Sequence, residues 1–304
     1  MTAPNTSSPS SRGLWAVIFG ASLLGVGAVF VKWGLLGGAS ALTIGLYRML
    51  FALPGVYWLV RREGARLQIG KGALWGLLAG TAFAGDLFLW HRSMQYTSAA
   101  NSTFIVCGLA PVWVALFSIA VYHTRYRWSG WLGQALGVSG ALLLALARGA
   151  RVGTGRGEAL AIAASVCYAA FSLAISRSRK RISARQALFW MSAGSLISFL
   201  VVESLEQQPV VGYSPLAWVG LVGLALLVQL VAWLMINTGL GHIPIALGAL
   251  ALGFQQVITP FAAALFLGEP LRPMGLFGGS VIVAGIYLVA TGARARPMPS
   301  DPVL

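Results

Sequence analysis

The sequence predicts an all-α polytopic membrane protein, with ten transmembrane helices built as two inverted five-helix repeats around a central cavity. Three observations predict it. Of the 304 residues, 58% are hydrophobic and 9% charged, with a mean hydropathy of +0.80, which excludes an ordinary soluble domain. Ten apolar runs follow one another at about 14–34, 41–60, 72–91, 98–121, 128–147, 157–176, 185–204, 215–236, 244–267 and 274–292. Each approaches the roughly 20 residues that a helix needs to cross a hydrocarbon core of about 30 Å. Finally, residues 130–151 and 275–296 share eight identities in twenty-two positions at an offset of 145, carried by Gly130/Gly275, Gly133/Gly278 and Gly140/Gly285. Chance in so biased a composition supplies roughly two or three, so the chain repeats itself. The front ends agree at an offset of 143, with Ala21-Ser22 on Ala164-Ser165 and Tyr47 on Trp190. Five spans per repeat is an odd number, so the two copies enter the bilayer with opposite polarity. That architecture recurs in transporters.

The runs lack the alternation of barrel strands, so their backbone is satisfied by helices. Expected boundaries are a disordered cytoplasmic tail at 1–13, one repeat at 14–150, a second at 151–293, and a second tail at 294–304. The net charge of +14 is spread between the spans, which argues against a nucleic-acid surface. Fourteen of the 21 Lys and Arg residues fall in loops on the side of the termini, including Arg61, Arg62, Arg66, Lys71, Arg177–Arg181 and Arg185. Six fall on the opposite side, and Arg48 lies within a span. This bias predicts both termini in the cytoplasm. The loop with Arg148, Arg151 and Arg156 runs against it. Ala39-Ser40-Ala41 imitates a cleavage site, but the first apolar run is too long for a signal peptide and has a counterpart in the second repeat.

Polar residues inside spans are where function is sought, because lipid-facing surfaces exclude them. In span one, Ser22 sits among glycines as a packing position. Span two holds Arg48 beside Tyr47; its mate in the repeat is Met191, which favours a structural role over an anion clamp. Span three contains Asp86, the acid well inside a span, flanked by Phe83, Trp90 and His91, with Arg92 and Gln95 toward the surface. A carboxylate there must face a cavity or a cation. Span four opens with Ser98, Asn101 and Ser102 and carries Ala110-Pro111. Span five has the glycines of the repeat. Span six places Ser165, Tyr168 and Ser172 on one face, of which Tyr168 offers both ring and hydroxyl. Span seven contributes no polar candidate. Span eight carries Gln229, Trp233 and Asn237 at i, i+4 and i+8, a stripe that suits a cavity wall or interhelical bonds. Span nine holds Gln255-Gln256, then Thr259-Pro260. Adjacent glutamines diverge by about 100°, so one at most is central, and Pro260 is expected to kink the helix. Span ten closes the repeat. Cys107 and Cys167 lie within apolar spans and are read as packing residues.

The expected substrate-binding set is therefore Asp86, His91, Trp90, Phe83, Asn101, Tyr168, Gln229, Trp233, Gln255 and Gln256. Asp86 suits an ammonium group, His91 or a kinked backbone a carboxylate, and the aromatic residues an apolar side chain. No cofactor or metal is expected, since the three histidines lie far apart and form no HExxH pattern. An intramembrane enzyme would need a nucleophile with its base or clustered metal ligands. Phosphorylated solutes call for several cavity cations, whereas an organic cation is a rival that the same acid and aromatics would suit.

With these residues in view, the chain resembles the EamA-type members of the drug/metabolite transporter superfamily. The likeness rests on Arg48, on MQYTSAANSTFIVCGLAPVW (94–113), on LGEPL (267–271) and on GLFGGSVIVAGIYLV (275–289). It covers 14–292. It implies two inverted five-helix halves around a cavity lined by spans one, three, four, six, eight and nine. It further implies export of aromatic and other neutral amino acids from a bacterial inner membrane; the protein is expected to work as a monomer in the lipid bilayer. The sequence departs from internal symmetry at Glu269, whose place in the first repeat is taken by Thr124.

Overall fold

The computed structural model describes residues 11–62, 64, 66–122, 128–146, 155–206, 209–240, 242, 245–271 and 273–292. Both tails, His123, Thr124, and the loop with Arg148 and Arg151 lie outside the described residues, as does the side chain of Asn237.

Every apolar run becomes a helix, and the helices are α1 (Ser11–Leu36), α2 (Ala41–Arg62), α3 (Lys71–Ser93), α4 (Ala99–Tyr122), α5 (Trp128–Leu146), α6 (Arg156–Arg179), α7 (Ala184–Glu206), α8 (Pro215–Gly223), α9 (Trp233–Leu240), α10 (Ile245–Leu267) and α11 (Pro273–Gly292). Leu224–Ala232 joins α8 to α9 as a π-helical stretch, making one continuous rod of the eighth span. Seven of the described helical segments are long and apolar enough to cross a membrane, and shorter apolar stretches occur at Ala251–Leu267 and Leu276–Gly285. The rod of span eight starts where Ser214 caps it, its hydroxyl accepting from Ala217 N, with Pro215 at the first turn; both are helix-start chemistry.

Packing follows the duplication. α3 lies against α6 and α7, and the rod of span eight lies against α1 and α2. α1 packs on α10 as α4 packs on α6, while α2 meets α7 and α5 meets α11. Exchanging the halves (α1 with α6, α2 with α7, α3 with the rod, α4 with α10, α5 with α11) returns the same set of neighbours. Two glycines show this at atomic scale. A Cβ on Gly140 would lie 2.7 Å from Gly278 O, and one on Gly285 would lie 2.6 Å from Gly133 O. Each contact is the other shifted by the offset of 145, so the repeat seen in the sequence is a two-fold relation in space. Close backbone approach through small residues is how helices adhere where water supplies no drive.

The halves are not identical. The rod of span eight has pieces of 9, 9 and 8 residues against 23 residues for α3. A π-helix bonds i to i+5 and so holds more residues per turn, which lets the longer copy fit the same membrane. α10 continues as helix through Pro260, and a π-helical stretch occurs in the rod.

The loops gather on two faces. On one, the basic face, Gln186 joins Arg66 O and Gln68 N, and Ser178 donates to Gly72 O. The far face carries the ends of α1, α3, α7 and α10, where Ser214 N bonds Gly37 O and Tyr47 Oη bonds Val210 O.

Candidate functional site

Between the halves lies a cavity of about 70 Å³, lined by residues of α1, α2, α3, α4, α6, the rod and α10. Asp86, on α3, is 4% exposed and its Oδ1 has no hydrogen-bond partner. Arg48, on α2, is 3% exposed and lines the same cavity. Its Nε donates to Gln229 Oε1 at 3.0 Å, and Gln229 Nε2 donates onward to Ser192 Oγ at 3.4 Å. The guanidinium carbon stands 5.6 Å from the centre of the Phe83 ring. Two opposite charges thus share one enclosed space, and no ion pair joins them.

The aromatic wall is continuous. Phe83 and Phe171 lie 4.8 Å apart, and Trp233 stands edge-on to both at 6.2 Å. Tyr168 meets Phe171 at 5.5 Å. Tyr168 and Trp233 also line a second cavity of about 450 Å³, together with Phe171, Leu188 and Met191, and this vestibule ends at Arg179, Lys180 and Ala184. The two cavities thus meet at Tyr168 and Trp233, and the larger one reaches the basic face. Alone, the central space is far below the 300 Å³ or so of a small-molecule site; joined to the vestibule it reaches that range.

On its far-face side the central cavity is bounded by Trp90. Trp90 packs there against an apolar cluster with Met94 and Ala99 and against another with Val106 and Ala164. Above them the α3–α4 corner is tied down. Ser93 and Ser102 hydroxyls bond one another. Lys32 Nζ donates to Met94 O at 2.7 Å and to Thr97 O at 3.2 Å. Glu269 Oε1 accepts from Ala99 N at 3.0 Å and faces Lys32 Nζ at 3.8 Å. Thr97 Oγ1 donates to Glu158 Oε1 at 3.3 Å. Gly268 makes this latch possible: it takes φ 65 after the last turn of α10, a conformation natural to glycine, and so turns Glu269 back across the corner.

Of the residues picked from the sequence, Asp86, Phe83, Trp90, Tyr168, Trp233 and Gln255 come together around the central cavity. Four do not line it. His91 is fully buried with Nδ1 against Ala41 O at 3.1 Å; one residue on from Trp90, it faces about 100° away and meets α2, so it is not placed for a carboxylate. Asn101 sits at the first turn of α4, its backbone N bonded to Ser98 Oγ. Gln229 is fully buried as the support of Arg48. Gln256 is 1% exposed and its Oε1 lacks a partner. Three polar or thiol-bearing lining residues lay outside that set. Arg48, read as structural, lines the cavity, and so do Thr103 and Cys107. Cys107 was read as packing, yet its sulfur accepts from Gln255 Nε2 at 2.9 Å. The signal available for Arg48 was its charge in a span. Thr103 and Cys107 carried none. Among the described residues, no three His, Cys, Asp or Glu side chains gather as for a metal.

The profile of the EamA-like transporter family matches residues 11–146 and again residues 155–291. A curated protein of Streptantibioticus cattleyicolor, named a probable terminal-alkyne amino-acid exporter, is 26% identical over 196 residues, which is 62% of this chain. The chain spans 64% of the length of that relative. A solved crystal structure, described simply as that of a protein, superposes with a TM-score of 0.68 at 19% identity, covering 93% of this chain and 99% of its own. At that identity the likeness is one of fold.

Proposed function

The chain belongs to the EamA-like transporter family and is a multi-pass membrane transporter; from that premise we propose that it exports aromatic and other neutral amino acids across a bacterial inner membrane by alternating access. The observation that carries the reading is Asp86, a buried carboxylate with an unpartnered oxygen, walled by Phe83, Trp90, Tyr168 and Trp233. An unpaired buried charge costs several kcal/mol, and a substrate ammonium offsets that cost. The aromatic wall provides the apolar contact that a large neutral side chain needs. The vestibule leads to the basic face, which by charge bias is the cytoplasmic one, so the cavity loads from inside and the direction is export. The amino-acid exporter among its relatives supports the same substrate class. Both termini then lie in the cytoplasm, and the protein works as a monomer in the bilayer.

A second reading is favoured by the same acid among aromatic rings, which also suits an organic cation. Reconstitution separates the two. Liposomes loaded with unlabelled phenylalanine should accumulate labelled phenylalanine, and less of it after Asp86→Asn. Counterflow of a quaternary ammonium dye with none of any amino acid would refute amino-acid export and establish the cation reading.

A further inference from the structure

Resting on the reading of this chain as an amino-acid exporter, we propose that Arg48 anchors the substrate carboxylate opposite Asp86, so that the central cavity holds the zwitterionic head group and the vestibule holds the side chain. Three observations carry it. Arg48 and Asp86 both line the cavity of about 70 Å³, each almost wholly buried, without an ion pair between them. A buried arginine and a buried acid that shared a cavity only for stability would close on one another, since their attraction is strongest in a dry interior. Here they are held apart. Gln229 bonds Arg48 Nε, and Ser192 stands behind Gln229, so the guanidinium is held by its Nε edge. Asp86 Oδ1 has nothing in the protein to bond. An α-amino acid supplies what each lacks: two carboxylate oxygens for a guanidinium fork and an ammonium for a carboxylate.

The sizes assign the orientation. The inner space is only large enough for small groups, while the vestibule of about 450 Å³ is lined by Phe171, Leu188, Met191 and Trp233 and opens to the basic face. The head group fits inward and the side chain outward. Selectivity follows from that division. Recognition is strict for the two charges, because leaving either buried partner unpaired is costly. It is loose for the side chain, which meets a wide, mostly apolar space. The protein should therefore accept many neutral side chains but only as free zwitterions.

The test begins with the unaltered protein. Purified protein in liposomes is offered phenylalanine, phenylalanine methyl ester, N-acetylphenylalanine and phenethylamine, which differ only at the two charges. The expected result is transport of phenylalanine at least about tenfold faster than that of each analogue. Arg48→Gln should then bring the ester and the amine to within about twofold of phenylalanine, with Arg48→Lys intermediate because a point charge replaces the fork. Equal transport of phenylalanine, ester and amine by the unaltered protein overturns the inference while leaving amino-acid export intact. Retention of the full preference by a folded Arg48→Gln variant overturns it too. If phenylalanine is not moved at all and phenethylamine is, the functional reading itself fails and this inference with it.

Discussion

Removing the Glu269 carboxylate should open the far face. Glu269 Oε1 takes the backbone N–H of Ala99 at 3.0 Å and faces Lys32 Nζ at 3.8 Å. The ion pair is long and its side chains are 20% and 19% exposed, so it contributes about 0.5 kcal/mol. The bond from an N–H at the start of α4 to a charged acceptor contributes about 1.5 kcal/mol. Together they hold the closed corner by about 2 kcal/mol, a factor of roughly 30 in the ratio of closed to open. Glu269→Gln keeps an acceptor and should lose about half of that, a factor of roughly 5. Cys107 is a built-in reporter, since its side chain lines the central cavity. In a Cys167→Ser background, a small membrane-impermeant methanethiosulfonate is applied from the far face, and the labelling rate of Cys107 is followed by mass spectrometry. Glu269→Ala should raise that rate by roughly ten- to thirtyfold, while the rate from the basic face does not rise. Unchanged far-face labelling would refute the latch. A rise from both faces would mean a loosened protein rather than a shifted one.

Further outcomes follow from the packing. Gly140→Leu or Gly285→Leu forces a side chain onto a backbone oxygen within 2.7 Å and should destabilise the α5–α11 contact by about 1–3 kcal/mol; a thermal unfolding midpoint in detergent within a degree of the parent's would contradict the two-fold contact. Gln229→Leu removes the acceptor of Arg48 Nε and should cut transport by about tenfold in a protein that still elutes as a single species, since a misplaced charge costs at least 1–2 kcal/mol; unaltered transport would show that the arginine needs no support. Trp233→Ala takes a wall from both cavities and should raise the KM for aromatic substrates several-fold while leaving that for alanine nearly unchanged; equal effects on the two would deny the side chain its place there.

The ten spans were legible because a bilayer demands long apolar runs, and only helices satisfy the backbone inside them. α2, for instance, begins at Ala41 as expected and runs two residues past Val60. What the pattern did not reveal was the change of helical geometry in the rod. LALLVQLVA (224–232) is apolar at all positions but one, so nothing in it marks a change from α to π geometry. The spacing of Gln229 and Trp233 assumed an α-helix and put both on one face. In the structure Gln229 makes interhelical bonds to Arg48 and Ser192, while Trp233 lines the cavity. His91 misled for a related reason, since proximity to Asp86 along α3 says nothing of direction. Arg48 was judged by its mate, Met191, and that comparison proves informative in another sense. Met191 lines the vestibule, so paired positions form the walls of both cavities, one charged and one apolar. Glu269 stood out in the LGEPL turn, but its partners Ala99 and Lys32 lie 170 and 237 positions away, beyond the reach of local pattern.

The wide turn in one copy only has an energetic corollary. Were the halves perfect duplicates, trading their conformations would turn the molecule over without changing its free energy, and each side of the membrane would be visited equally. Leu224–Ala232 has no counterpart in α3, so the two orientations are not equivalent. On the proposed alternating-access reading, the empty carrier therefore favours one side before any solute binds.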